Sequence, residues 1–196
     1  AKKSNLETLE SLNCDYQLID TEKKRTEIIQ KLLTSKILSL DTETTGTEPM
    51  DAELVGMSFS ITENQAFYVP VPDNREEALK IVNEFRPVFE NENSLKVGQN
   101  IKYDMIVLEN YGVQVKGALF DTMIAHYVLQ PELRHGMDYL AEIYLHYQII
   151  HIDELIGPKG KNQKNMRDLD PKDIYRYACE DADVTLKLKN VLEKEL

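Results

Sequence analysis

Cysteine is scarce in this 196-residue chain, which contains only Cys14 and Cys179. Two thiols do not make a disulfide framework or a cysteine-rich zinc site, so a reducing, cytoplasmic setting is expected. Long apolar runs are also lacking, since no stretch approaches the roughly 18 residues of a membrane span. The first residues do not have the pattern of a signal peptide. We therefore expect neither a disulfide-stapled secreted protein nor a membrane protein.

Basic residues are in the minority, with 23 Lys and Arg against 34 Asp and Glu and a net charge of −11. This balance argues against nucleic-acid binding by overall charge. It still allows an acidic site in which divalent cations reverse the local field. Repeats, low-complexity segments and Gly/Ser linkers are lacking, which predicts a single domain over 1–196. The chain has no initiator Met and stops within a helical pattern, so we expect a piece of a larger protein.

The spacing of apolar residues predicts an α/β domain. Alternating or continuous apolar runs predict six strands, at 16–20, 36–43, 53–61, 66–71, 95–98 and 118–120. Helical spacing predicts helices over 22–35, 74–91, 100–112, 122–130, 137–145 and 170–196. The strands come first as a meander and then alternate with helices, which predicts a mixed sheet with helices packed on it.

Two carboxylates stand at the end of a strand that otherwise has the pattern of a buried one. Asp41 and Glu43 follow the apolar run "KILSL" within the stretch "SLDTETTG". Residues two apart on a strand share one face, so the two side chains lie side by side. Like charges at this spacing repel, and burying them unpaired is costly. A buried pair therefore needs a positive partner.

Two helices show a similar anomaly. Asp181 fills a missing step in the apolar stripe of the final helix, and Tyr177 lies one turn earlier on the same face. Asp104 interrupts the apolar stripe of the helix that follows Gly98. The neighbouring acids Glu180 and Asp183 are expected to point elsewhere, into solvent. Three predicted elements thus each place an acid where an apolar residue belongs.

Four carboxylates are therefore aimed inward, and no Lys or Arg shares their stripes. Buried acids are rare unless they are paired or bind metal. Oxygen ligands suit hard cations such as Mg²⁺ or Mn²⁺. Two such ions about 3.5–4 Å apart stabilise the attacking and leaving oxygens of a phosphoryl displacement. We expect Asp41, Glu43, Asp104 and Asp181 to hold divalent ions, with the phenol of Tyr177 orienting the attacking water.

Each acid taken alone has a structural alternative. The pair Asp41 and Glu43 fits a surface role, Asp104 fits a hydrogen-bonded core acid, and Asp181 belongs to the acidic run "EDAD", which is typical of a solvated face. Asp121 is expected to cap the following helix. Packing or surface roles are expected for the four histidines, which show no metal-ligand pairing: His126, His135, His146 and His151. The joint occurrence of the four acids favours the metal site.

Three stretches of this sequence resemble a known family. "DTETTG", "VGQNIKYD" and "YACEDADVTLKL" are similar to the three exonuclease motifs of the DEDD superfamily, in its Tyr-containing subtype. With "RHGMDYLAE" and "GPKGKNQ", they closely resemble the 3′–5′ proofreading domains of bacterial DNA polymerase I, in family A. The resemblance covers roughly residue 16 to the C-terminus. It implies a ribonuclease-H-like α/β fold, with a mixed five-stranded sheet flanked by helices.

The resemblance also implies roles for individual residues. Asp41, Glu43 and Asp181 would hold one metal ion, Asp41 and Asp104 a second, and Tyr177 would position the nucleophilic water. Contacts to the terminal nucleotide are implied for Thr44, Gln99 and Asn100, and a contact to DNA is implied for Arg134. Contacts to the phosphates of the strand are implied for Lys159, Lys161 and Lys164. A solvated loop explains the lysines equally well. The family commonly has Leu where Thr47 stands, so apolar stacking on the terminal base is expected to be weaker here or to come from another residue.

The implied activity is metal-dependent hydrolysis of the 3′-terminal phosphodiester of DNA, with release of 5′-mononucleotides. The implied substrate is a single-stranded or frayed 3′ end, and the implied partner is a polymerase domain of the same parent chain. We expect the domain itself to be a monomer. A ribonuclease-D-like RNA 3′ exonuclease shares the same acids and fold and stays open as an alternative. A catalytically silent structural domain is a second alternative, which the intact acids and tyrosine disfavour.

Overall fold

The computed structural model describes residues 6–196. The prediction that the chain does not start with a signal peptide falls partly on the first five residues, which lie outside the described residues. The strands are β1 (Asp15–Leu18), β2 (Ile37–Thr44), β3 (Leu54–Thr62), β4 (Gln65–Pro70), β5 (Leu95–Gly98) and β6 (Leu119–Asp121). The helices are α1 (Glu22–Leu33), α2 (Arg75–Glu84), α3 (Arg86–Phe89), α4 (Ile101–Glu109), α5 (Thr122–Leu129), α6 (Met137–Leu145), α7 (Ile152–Ile156) and α8 (Pro171–Leu192). Over residues 6–196, none of the helices has the length and apolar content to cross a membrane.

The strands form one mixed sheet in the order β1-β4-β3-β2-β5-β6. β2, β3 and β4 form an antiparallel meander, whereas β1, β5 and β6 pair in parallel with their neighbours. The predicted α/β class and mixed sheet are confirmed. The sheet has the six strands that the apolar pattern predicts, one more than the resemblance implies.

Apolar layers cover both faces of the sheet. Leu38 and Leu40 of β2 belong to a core shared with α1 to α4, in which the rings of Phe59 and Phe85 stack with centroids 5.4 Å apart. A second core joins β3 and β4 to α8. Because a strand alternates its faces, every second residue of β2 from Ser39 onwards points away from this core and towards α8. Asp41 and Glu43 are among these residues.

α8 is buried on nearly all sides over its middle, because it packs against β1 to β4 and also against α5 and α6. The prediction that Glu180 and Asp183 face solvent is therefore wrong, since both are fully buried. Glu180 accepts hydrogen bonds from the hydroxyl of Tyr147 (2.6 Å) and from the backbone N–H of Ile150 (2.7 Å). These donors come from the segment that follows α6.

Asp183, three residues later on the same helix, is held by a different set of donors. Its carboxylate accepts hydrogen bonds from the hydroxyl of Tyr16 (2.7 Å) and from the backbone N–H of Asn64 (2.8 Å). It also pairs with Lys187 one turn later, at 2.9 Å. Both buried acids thus find protein donors, and most of these donors are distant in the sequence, so helical periodicity contained no sign of them.

Two local features differ from the sequence-based expectation. The single helix predicted over 74–91 is two helices, α2 and α3, with Phe85 between them. Pro87 has no backbone N–H with which to continue the α2 hydrogen-bond ladder, so the helix breaks there. The short helix α7, which directly precedes Gly157, was not predicted.

Asp121 caps α5, as predicted, by accepting hydrogen bonds from the backbone N–H groups of Met123 and Ile124. The same carboxylate also accepts hydrogen bonds from the N–H groups of Asn100 (3.1 Å) and Ile101 (2.9 Å). One side chain therefore joins the start of α4 to the start of α5. This connection fixes the beginning of the helix on which Asp104 lies.

Candidate active site

The acidic end of β2 lies directly against α8. The hydroxyl of Ser39 donates a hydrogen bond to the backbone carbonyl of Ala182, at 2.7 Å. Asp41 and Glu43 share the strand face of Ser39 and therefore point at the same helix. Asp181 is next to Ala182 and is buried, as is Glu43. Strand alternation and helix packing together bring these acids to one point.

One carboxylate oxygen from each of Asp41, Glu43 and Asp181 lies within 4.8 Å of the other two. Oε1 of Glu43 and Oδ1 of Asp181 are buried and have no hydrogen-bond partner among the described residues. Burial, and then the neighbouring negative charges, raise the pKa of all three carboxyl groups well above the ordinary values. Unpartnered carboxylate oxygens at this spacing are the donor set that a hard divalent cation requires.

Asp104 is the fourth acid, and the first turn of α4 brings it against β2. Its Oδ1 accepts hydrogen bonds from the backbone N–H (3.0 Å) and the hydroxyl (2.6 Å) of Thr42. Burial raises the pKa of Asp104 to about 7, although the two bonds from Thr42 lower it. The charge of Asp104 in turn raises the pKa of Asp41. The structure therefore brings together the four acids that the sequence analysis selected.

Tyr177 lies one turn before Asp181 on α8 and is half-buried beside the acids. Burial raises the pKa of its phenol strongly, and the negative charges of Asp181, Glu43 and Asp41 raise the pKa further. The hydroxyl therefore keeps its proton across the physiological pH range. It is available as a hydrogen-bond donor at the edge of the acidic cluster.

The family model of a 3′–5′ exonuclease, of the DNA polymerase A type, matches residues 16–196. The chain belongs to this 3′–5′ exonuclease family. It is 31% identical over 195 residues to DNA polymerase I of Borreliella burgdorferi and 34% identical over 192 residues to that of Pseudomonas aeruginosa. These matches cover 98% and 93% of this chain, but the chain spans only 21% of the length of each relative.

Solved structures of other nucleases share the fold of this exonuclease domain. RNase D of Trypanosoma brucei matches with a TM-score of 0.74 at 19% identity, over 92% of this chain and 65% of its own. NrnC of Brucella melitensis with bound Mg²⁺ matches with a TM-score of 0.67 at 19% identity, over 93% of this chain and 81% of its own. The likeness confirms the ribonuclease-H-like fold. The exonuclease family implies divalent metal ions, which the acidic cluster fits.

A cavity of about 590 Å³ opens beside the acids of the exonuclease domain. The end of β2 and the following turn form one wall, which includes Glu43, Thr44 and Thr47. α7 and the basic loop 157–165 form the other wall, which includes Lys159 and Lys164. Of the predicted substrate contacts, Thr44, Lys159 and Lys164 therefore line the cavity. Lys161 is exposed and does not line it.

The basic loop of the exonuclease domain is anchored by the segment at its downstream end. The side-chain amide of Asn165 donates a hydrogen bond to the carbonyl of Thr45, at 2.8 Å. The guanidinium of Arg167 donates to the carbonyls of Leu54 (2.6 Å) and Val71 (2.5 Å). These bonds fasten the loop to the meander and keep the wall of the cavity in place.

Tyr103 is a cavity residue that the sequence analysis missed. Its hydroxyl donates a hydrogen bond to the carbonyl of Gly46 and lies 2.6 Å from the hydroxyl of Thr44. The side chain thereby fastens the turn after β2 to α4. The only sign of this role in the sequence is its position directly before Asp104, in "KYD".

Three other predicted contacts lie outside this cavity. The side-chain amide of Gln99 donates to the carbonyl of His135 at 2.7 Å, between the start of α4 and the segment before α6. Asn100 precedes α4 with a left-handed backbone, at a φ of 59°. The exposed guanidinium of Arg134 lies 4.9 Å above the ring of Tyr139 and lines a separate cavity of about 250 Å³.

Proposed function

We propose that this exonuclease domain hydrolyses the 3′-terminal phosphodiester of DNA and releases 5′-mononucleotides, as the proofreading part of a longer DNA polymerase chain. The observation that carries the chemistry is the group of three carboxylates, from half-buried Asp41 and from buried Glu43 and Asp181, with oxygens within 4.8 Å of one another. Glu43 and Asp181 each have an oxygen without a partner among the described residues. The choice of DNA rests on similarity to DNA polymerase I relatives, of which this chain spans about a fifth. A cytoplasmic setting and a monomeric state remain predictions from the sequence.

Two divalent ions, Mg²⁺ or Mn²⁺, are part of this proposal. Asp41, Glu43 and Asp181 would hold one ion, and Asp41 with Asp104 would hold the other. When bound, such ions stabilise the attacking and leaving oxygens of the displacement. The role of Thr42 would be to hold Asp104 in position, because its hydroxyl and N–H both donate to that carboxylate.

Tyr177 would orient the attacking water. Its surroundings raise the pKa of the phenol, so the hydroxyl keeps its proton and donates a hydrogen bond rather than removing a proton from water. A Tyr177→Phe variant removes this donor and keeps the ring. Its loss of turnover would report the orienting role separately from metal binding.

The cavity beside Glu43 would receive the unpaired 3′ end. Lys159 and Lys164 supply positive charge on one wall, as phosphate contacts require. Ile152 and Ile156 supply apolar surface opposite Thr47 and can replace the stacking that a leucine would provide there. From the start of α4, Gln99 and Asn100 would flank the terminal nucleotide. Arg134 and Lys161 would contact the strand farther along.

RNA is the competing substrate, because RNase D of Trypanosoma brucei shares the fold with a TM-score of 0.74. The deciding experiment incubates single-stranded DNA and RNA of the same sequence, each labelled at the 5′ end, with Mg²⁺, Mn²⁺ or a chelator. Wild type is compared with Asp104→Ala and with Glu27→Ala, which removes an exposed acid on α1. We expect a DNA ladder that shortens from the 3′ end with wild type and Glu27→Ala, and none with Asp104→Ala or the chelator.

Three results would contradict the proposal. Degradation of RNA with DNA left intact would favour the RNA exonuclease. A ladder produced equally by Asp104→Ala would remove the acids from the mechanism. A melting temperature of wild type that does not rise with added Mg²⁺ or Mn²⁺ would show that the cluster binds neither ion, since a ligand of the native state stabilises it.

A further inference from the structure

Two histidines contact each other away from the acidic cluster. His126 on α5 is fully buried, and its Nδ1 lies 2.7 Å from Nδ1 of His135, in the segment between α5 and α6. The ring centroids are 4.9 Å apart. Nε2 of His126 is buried and has no hydrogen-bond partner within residues 6–196. The ring of His126 is therefore held in the protein by packing and by one polar contact, to His135.

This contact depends on the number of protons that the two rings carry. A hydrogen bond between two Nδ1 atoms needs one atom as donor and the other as acceptor. Two neutral rings satisfy this condition when one carries its proton on Nδ1 and the other on Nε2. One neutral and one protonated ring satisfy it as well, because the neutral ring can accept at Nδ1. When both rings are fully protonated, both Nδ1 atoms are donors and the contact is lost.

His135 connects the pair to residues with an expected substrate role. Its backbone carbonyl accepts the hydrogen bond from the amide of Gln99, at 2.7 Å. The Oε1 of Gln99 in turn accepts a hydrogen bond from the hydroxyl of Thr122. Arg134 directly precedes His135, and its guanidinium lies over the ring of Tyr139. One residue thus contacts His126 through its ring and Gln99 through its backbone.

We propose that His126 is a positioning residue for substrate binding, which holds Gln99 and Arg134 in place through His135, and that acidification releases this hold. The proposal rests on the proposed function, because it takes Gln99 and Arg134 as substrate contacts. The proposal gives the buried ring a role beyond packing. It predicts that the affinity for the DNA strand depends on the protonation of two histidines that are not part of the acidic cluster.

The surroundings of the pair favour the neutral form of His126. Burial and the neighbouring His135 lower the pKa of His126 below its ordinary 6.5, while the charge of Glu195 opposes them. The second proton is therefore taken up only below neutral pH. The titratable and charged groups around the two rings are Tyr127, Arg134, Tyr139, Tyr144 and Glu195.

The test compares wild type with two variants of the buried ring. His126→Phe keeps an aromatic ring but cannot accept or donate a hydrogen bond, whereas His126→Asn keeps a polar atom near the position of Nδ1. The values of kcat and KM for single-stranded DNA are measured at about pH 8 and about pH 5.5, on either side of the ordinary histidine pKa. Ratios of variant to wild type cancel the titration of the metal-site acids, which all three proteins share.

We expect His126→Phe to raise KM roughly 3- to 10-fold at the higher pH, with kcat nearly unchanged, because it loosens binding rather than chemistry. At the lower pH the wild-type KM should rise to meet that of the variant. His126→Asn should bind like wild type at the higher pH and show no further step on acidification. Equal KM values for wild type and His126→Phe at the higher pH, or a ratio that does not change with pH, would overturn the proposal.

A second measurement does not need exonuclease activity, and it uses two variants, so that it still gives a result if one of them does not fold. Titration of the histidine ring protons is followed by NMR in wild type, in His126→Phe and in His135→Phe. We expect each substitution to change the titration curve of the remaining ring, and unchanged curves would overturn the proposal. If wild type shows no exonuclease activity, the proposed function fails, and these curves still decide whether the two rings interact.

Discussion

Three buried carboxylates lie within four positions of α8, and their surroundings differ. Glu180 and Asp183 each accept hydrogen bonds from a tyrosine hydroxyl and from a backbone N–H. Asp181, between them, faces Asp41 and Glu43, and its Oδ1 has no partner in the described part of the chain. A buried acid whose oxygens meet protein donors can stay charged in the protein, whereas one that faces other acids needs a cation or a proton.

The causes of the pKa shifts of Glu180 and Asp181 differ in the same way. Burial raises the pKa of both Glu180 and Asp181. For Glu180 the hydrogen bonds from Tyr147 and Ile150 oppose the rise, whereas for Asp181 the next largest effect is the charge of Glu43, which adds to it. Burial of an acid is therefore a poor sign of function by itself. The lack of protein donors around it is the more useful sign.

The largest expected effect separates Asp181 from Asp183. Loss of an outer-sphere partner of a metal ligand costs about 10- to 100-fold in affinity or activity, so loss of a direct ligand should cost more. We expect Asp181→Asn to lower the exonuclease kcat/KM at least about 100-fold and Asp183→Asn to leave it near that of wild type. The gel assay with 5′-labelled DNA measures both, and equal losses would break the distinction between the two acids.

The next largest effect is on the free energy of unfolding, which should fall on substitution of Glu180 or Asp183 but not of Asp181. Glu180→Ala and Asp183→Ala each leave a tyrosine hydroxyl and a backbone N–H without their acceptor. We expect the free energy of unfolding to fall by about 1–3 kcal/mol in each variant. Urea denaturation without metal measures this, with Asp181→Asn as the control that should not lose stability. A Glu180→Ala protein as stable as wild type would show that its hydrogen bonds are dispensable.

In the absence of metal, the stability of the protein should depend on the protonation of the clustered acids. The native pKa of Asp104 is about 7, against an ordinary 3.8, so the native state keeps this proton longer than the unfolded chain does. Its contribution to stability is full below about 3.8 and is lost as the pH rises through about 7. The other three acids of the cluster shift in the same direction.

The melting temperature of wild type in a chelator should therefore fall between about pH 4 and about pH 7, and that of Asp104→Asn should fall less. About 1 kcal/mol corresponds to roughly 2–4 °C for a domain of this size. Added Mg²⁺ should remove the decline, because metal binds the deprotonated carboxylates. A wild-type melting temperature that rises over this range without metal would contradict the raised pKa values.

The smallest expected effect concerns the basic loop. Lys159 lines the cavity beside the acids, whereas Lys161 does not. A contact to a phosphate of single-stranded DNA contributes about 0.7 to the slope of log affinity against log salt. We expect Lys159→Ala to weaken binding a few-fold and reduce that slope, with Lys161→Ala closer to wild type. Equal slopes for the two variants would remove the distinction between these lysines.

Local signals in the sequence were sufficient for most of the fold. Alternating apolar residues predicted the strands, and helical spacing predicted a helix from residue 170. α8 starts at Pro171, and the side chain of Asp170 caps it by accepting a hydrogen bond from the N–H of Lys172. The four acids were selected because each interrupts an apolar pattern, and the structure places them together. These inferences succeeded because strand and helix periodicities depend on the backbone alone.

Tertiary packing decided what periodicity could not. Glu180 and Asp183 lie off the apolar stripe, and they are buried because strands cover one side of α8 while α5 and α6 cover another. Their donors, Tyr16 among them, come from parts of the chain up to 167 residues away. Periodicity identifies one buried face of a helix, but only the assembled fold determines how many faces are covered and which donors meet each acid.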